Sequence, residues 1–142
     1  MSLSEIDTLR RLRKYRADRA ERALRAAKRQ QQALLLQIRQ AADALEQTRL
    51  DEARKTAELL SKHQGQVISF QDFKSWNAQE RTLSADTRRE EGQLHELHGQ
   101  RDEQLIHIDS AQKQVTQCLR EVEKLQELSL LLGQEEAVQE ET

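Results

Sequence analysis

The chain has 142 residues, of which 34% are charged and 3% aromatic, with no proline and a formal net charge of −2. That length fits one domain. The near-balanced charge removes any bulk drive toward nucleic acid or membrane, and the scarcity of large apolar residues argues against a compact globular core. Ala, Leu, Glu, Gln, Arg and Lys dominate. These are strong helix formers, so long helices fit the composition better than disorder.

The opening segment MSLSEIDTLRRLRK has no apolar run of the kind a signal peptide needs. No stretch approaches the ~20 apolar residues that span a bilayer. A soluble, cytoplasmic protein is expected, without direct membrane insertion. The single cysteine, Cys118, leaves no internal disulfide.

The first element is a helix over about residues 5–64. Ile6, Leu9 and Leu12 start an apolar stripe, Ala20, Leu24 and Ala27 continue it, and Leu34, Ile38, Ala41 and Leu45 follow. Ala53, Ala57 and Leu60 complete it, with a phase that slips along the way. A turn is expected at about 65–69. Gly65 suits the left-handed C-cap of the first helix. Ser69 and Asp72 have the spacing of a capping box, with Ile68 and Phe73 placed as a hydrophobic staple. The second helix is expected over about 70–132. A strict heptad from Phe73 and Trp76 to Leu132 places apolar residues at 12 of 18 seam positions. Glu80, Thr87, Glu90, Arg101, Gln104 and Ser129 interrupt it, giving a polar middle where local melting is expected. Gly133 marks the expected end of this helix, followed by an acidic, frayed tail at 133–142.

A short turn makes the two helices antiparallel neighbours. The expected fold is all-α: one domain over 1–142, folded as a single antiparallel coiled-coil hairpin. Each helix is roughly 90 Å long at 1.5 Å per residue. Facing residue numbers should sum to about 133, so that Leu60 faces Phe73, Tyr15 faces Cys118 and Ile6 lies near Glu127.

Such a hairpin offers no catalytic pocket. The chain has four glycines and no phosphate-binding loop. No cofactor or metal is implied: His95 and His98 read as solvated, and Cys118 as a small buried hydrophobe. Gly92 and Gly99 fall at outward positions. Charge is unevenly placed, with 15 Lys and Arg against 9 Asp and Glu in residues 1–62, and 8 against 16 in residues 63–142. Pairing between the two helices is the simplest account. The run RRLRKYRADRAERALRAAKR, residues 10–29, carries ten Lys and Arg and offers a basic surface to a partner. An acidic protein suits it better than nucleic acid.

Three of the four aromatic residues, Phe70, Phe73 and Trp76, sit in HQGQVISFQDFKSW, residues 63–76. Phe73 and Trp76 fall on the seam and can close it. Val67, Ile68 and Phe70 cannot all be buried in a two-helix tip, and exposed apolar surface of this kind marks binding sites.

The arginine- and alanine-rich opening LRRLRKYRADRAERALRAAKRQ, the short loop and the segment SFQDFKSW resemble the YscO-type stalk proteins of bacterial type III secretion, counterparts of flagellar FliJ. The resemblance covers nearly the whole chain and rests on architecture. It implies a non-enzymatic central stalk, similar to the gamma subunit of rotary ATPases, that links the hexameric secretion ATPase to the cytoplasmic domain of an export-gate membrane protein and escorts export chaperones. It implies a position at the cytoplasmic face of the inner membrane when assembled. By region, Arg10, Arg11, Arg13, Lys14 and Arg16 would lie at the ATPase end, and Val67, Ile68, Phe70, Phe73 and Trp76 at the gate end. Two other classes stay open: an adaptor coiled coil that dimerises through its seam, and a nucleic-acid-binding arm with strongly salt-dependent affinity.

Overall fold

The computed structural model describes residues 2–141. It contains two helices, α1 (Leu3–His63) and α2 (Phe70–Glu141), and no strand among the described residues. The fold is the all-α antiparallel hairpin that the composition and the single turn imply.

Helix boundaries follow from local chemistry. Ser2 and Glu5 cap α1 reciprocally: the Glu5 amide donates to Ser2 Oγ at 3.2 Å, and the Ser2 amide donates to the Glu5 carboxylate at 3.3 Å. This box moves the start of α1 two residues ahead of the expected one. At the other end Gly65 has φ 72°, the left-handed conformation that ends helices, and the Gln66 amide donates to the His63 carbonyl at 3.3 Å. Ser69 then caps α2, its Oγ accepting from the Asp72 amide at 3.1 Å.

The far end of α2 differs from expectation. The helix continues through Gly133 to Glu141, so the tail at 133–141 is helical. Gly133 has no positive φ, and no proline follows it. The Gln, Glu, Ala and Val beyond it can each stay in a helix, and one glycine costs only about 1 kcal/mol.

The chain forms two compact units, Met1–Gln31 with Glu103–Thr142, and Gln32–Asp102. In the first, Ala17, Ala20 and Leu24 of α1 pack with Val115 and Cys118 of α2, flanked by Ile108, Ala111 and Val122. Ile6, Ala27 and Leu125 are also buried. Two side chains tie the helices across this seam. Arg13 Nη1 donates to the Glu121 carbonyl at 2.9 Å, and Gln104 Nε2 donates to the Ala27 carbonyl at 2.9 Å. Cys118 thus packs against alanines and Leu24, while Tyr15, its expected partner, is 58% exposed.

The second unit has a more polar seam. Leu45 and Thr87 are its buried residues. Thr87 Oγ1 donates to the Glu52 carboxylate, and Arg49 pairs with Glu91 at 3.0 Å. Leu59 is half-buried, whereas Leu60, expected opposite Phe73, is 57% exposed.

Burial along α2 follows the expected heptad closely. Every seam position from Trp76 to Leu132 is buried or half-buried, the polar ones included; Phe73 alone is exposed. Burial along α1 corrects the expected phase slips. Ile6, Arg13, Ala20, Ala27, Leu34, Ala41 and Thr48 recur every seven residues, as do Ala17, Leu24, Gln31, Ile38, Leu45, Glu52 and Leu59, and all are buried or half-buried. A single register without a phase slip serves α1 from Arg13 to Glu52, while Arg10 and Lys55, on the same two series, are exposed. It was hidden because Arg13, Gln31, Thr48 and Glu52 occupy seam positions, while Ala53, Ala57 and Leu60 lie beside the seam in solvent.

Candidate functional site

The turn of the second unit displays an exposed apolar cluster. Val67 is fully exposed, Phe70 is 71% exposed and Phe73 49%. Loop geometry explains the first: Val67 lies between the Gly65 turn and the Ser69 cap, with no helix to fold it back. Phe70 stands at the first helical position and Phe73 one turn on, so both project from the start of α2. Lys74 Nζ sits 4.6 Å above the Phe70 ring, within cation–π range.

Ile68 and Trp76 behave differently. Both are half-buried. The Trp76 indole stacks on the His63 imidazole, with centroids 5.1 Å apart and planes 21° apart, and its Nε1 donates to the Glu80 carboxylate at 2.8 Å. Trp76 therefore braces the end of α1 against the first turns of α2. The five expected tip residues divide into three that are exposed, Val67, Phe70 and Phe73, and two that are half-buried, Ile68 and Trp76. His63 was missed as Trp76's partner because an imidazole in a last helical turn reads as a C-terminal charge.

Beside this surface runs an open groove of about 600 Å³ between α1 and α2. Leu59, Ala78, Thr82 and Leu83 contribute apolar surface, and Lys55 and Lys62 stand seven residues apart on its α1 side. Neither lysine forms an ion pair among the described residues. The only advance signal was the Lys-x₆-Lys spacing around Leu59, which is common on any charged helix.

The second expected contact region lies in the first unit. Arg10, Arg11, Lys14 and Arg16 are exposed. Arg13 is half-buried and spent on the Glu121 carbonyl, so it clamps the seam and does not project. The expected neutralisation of α1 by α2 is not what the side chains do: among the described residues, Arg49–Glu91 is the one ion pair that crosses between helices. Arg10, Arg11, Lys14 and Arg16 are exposed and, among the described residues, form no ion pair.

Chemistry beyond docking finds little to use here. Among the described residues no group of three or more His, Cys, Asp or Glu is arranged to hold a metal. His95 is exposed and His98 half-buried. No described helix is long and apolar enough to cross a membrane.

Comparison with known proteins gives one result. The family model described as type III secretion protein YscO matches residues 6–142. No curated protein and no solved structure matches the chain.

Proposed function

We propose that this chain, which belongs to the YscO family of type III secretion proteins, is the non-enzymatic stalk of a secretion apparatus, linking the hexameric secretion ATPase to the export gate. The observation that carries this reading is the family match over nearly the entire hairpin, 6–142. The two docking regions support it. One unit displays an aromatic tip beside an open groove; the other displays unpaired cations.

In this reading Val67, Phe70 and Phe73 contact the cytoplasmic domain of the export-gate protein, and Ile68 and Trp76 hold them in place. Arg10, Arg11, Lys14 and Arg16 meet acidic surface on the ATPase, while Arg13 keeps the two helices together as they enter it. Export chaperones are further partners. The assembled protein sits at the cytoplasmic face of the inner membrane. No cofactor takes part. The stalk acts by geometry: force or rotation applied to one unit reaches the other through continuous helices.

The test is affinity capture of the tagged protein from its native host after mild crosslinking, with partners identified by mass spectrometry. Recovery of both the secretion ATPase and a gate subunit is the expected result. Recovery of neither, with self-association or RNA-bound proteins in their place, would overturn the reading in favour of an adaptor or a nucleic-acid arm.

A further inference from the structure

The outward side of α1 in the first unit carries a mixed pattern of cations and apolar groups. Leu12, Tyr15, Arg19, Arg22 and Arg29 follow helical spacing and share one side of the helix. The buried seam residues Ala17, Ala20, Leu24 and Ala27 take the opposite side. All five outward residues are exposed, Leu12 at 45% and Tyr15 at 58%. Arg11 and Arg16, also exposed, flank them.

The net charge of −2 gives the whole chain no drive toward an anionic surface, but this stripe is local. Residues 10–29 hold ten Lys and Arg against Asp18 and Glu21. Glu21 pairs with Arg25, and among the described residues Arg19, Arg22 and Arg29 form no ion pair. Nor does α2 cancel them. Arg13 lies opposite Glu121, which puts Arg19 level with about residue 115. Near that level Asp109 pairs with Lys113 at 3.0 Å. The glutamates beyond Lys124 begin roughly 18 Å farther along the helix, and at about 0.1 M salt a charge acts over ~10 Å.

Two features restrict what can cover this side. The arginines offer separate phosphate-matching forks spread along a straight helix. Leu12 and Tyr15, at one end, ask for apolar depth beside those phosphates. A nucleic acid would find a single aromatic platform, Tyr15, and nothing to pair with Leu12. A bilayer surface supplies both, with phosphates in a plane and hydrocarbon beneath them.

We propose that this side of α1 rests on an anionic phospholipid surface. The arginines meet headgroup phosphates, and Leu12 and Tyr15 settle into the headgroup layer. α1 lies along the membrane with its seam to α2 intact; no described helix is long and apolar enough to cross it. The stripe shares Arg11 and Arg16 with the proposed ATPase contact, so one chain rests on the membrane or engages the ring, and the two states exclude each other.

The test is co-sedimentation of the full chain with vesicles. At about 0.1 M salt the chain should pellet with vesicles containing phosphatidylglycerol and stay in solution with pure phosphatidylcholine. Near 1 M salt, where screening acts within ~3 Å, it should be released. R19E/R22E/R29E leaves the engaged Arg13 and Arg25 in place. It should bind anionic vesicles roughly a hundredfold more weakly while retaining helical circular dichroism. L12Q/Y15Q, with charge unchanged, should bind about tenfold more weakly. Failure of the wild-type chain to bind anionic vesicles overturns the proposal, as does equal binding to neutral ones. Undiminished binding by either variant overturns it too. Binding of single-stranded RNA in place of anionic vesicles would assign the stripe to nucleic acid. These affinities are read on the isolated chain, so they are independent of whether an ATPase is captured.

Discussion

The His63 imidazole lies nearly flat against the Trp76 indole, 5.1 Å from centroid to centroid. The last residue of α1 is thereby fastened to the second turn of α2, and the six residues between the helices close on a stacked pair. Aromatic pairs of this kind contribute about 0.5–1.5 kcal/mol beyond the area they bury.

Trp76→Ala should therefore loosen the turn end by roughly 2 kcal/mol, below the 3–5 kcal/mol of a fully buried tryptophan because this one is only half-buried. Hydrogen exchange should accelerate at residues 56–63 and 76–83 and stay unchanged in the first unit. Phe70→Ala should change stability by less than about 0.5 kcal/mol, since its ring is 71% exposed, yet reduce secretion. Normal secretion by the Phe70→Ala, Phe73→Ala double variant would remove these rings from the proposed gate contact.

The Thr87–Glu52 bond is a part-buried polar tie of the second unit. Thr87→Val should cost about 1–3 kcal/mol by stranding a carboxylate in the seam. Changing both partners, Thr87→Val with Glu52→Leu, should recover most of that and can exceed wild type, because a matched apolar pair has no desolvation cost. Thermal melting of the two singles and the double gives the coupling; strict additivity of the two losses would mean the bond carries no energy.

Gly92 and Gly99 are exposed in mid-helix, and a Cβ at either would meet nothing within 4 Å. Alanine at each should raise stability by about 0.8–1 kcal/mol. If secretion drops while the melting temperature rises, the glycines serve flexibility or close approach of a partner. If secretion holds, they are tolerated imperfections.

Gly65→Ala should act in the opposite direction, costing roughly 1–2 kcal/mol because φ 72° strains an L side chain. Gly65→Asn should lose less, since asparagine visits that region more readily. Equal losses for the two would show that left-handed strain is not what the glycine relieves.

α2 was legible from its residues because apolar side chains fill most of its seam, and the cap at Ser69 and the turn at Gly65 follow strong local rules. α1 was misread for a physical reason. A two-helix seam is shallow, so the stems of Arg13 and Glu52 can lie in it while their polar ends find the Glu121 carbonyl and the Thr87 hydroxyl. Hydrophobicity then stops marking the inward face, and exposed alanines beside the seam suggest a slip that burial does not show. The tip was legible as a cluster but not in its division of labour. Nothing in the order of Phe70, Phe73 and Trp76 reveals that the tryptophan turns inward onto His63.

The alanines buried in the first unit have one more consequence. Ala17, Ala20 and Ala27 sit at contact positions where leucine is the usual choice. Small side chains bring helix axes toward the low end of the 8–10 Å range. The girth of this unit is thus set by what its side chains lack. Each methyl contributes little adhesion, but exchanging Ala20 for leucine would wedge the helices apart and thicken the cross-section. For a protein proposed to enter the bore of a ring, such a change would register first as a failure of fit, with the helices still formed.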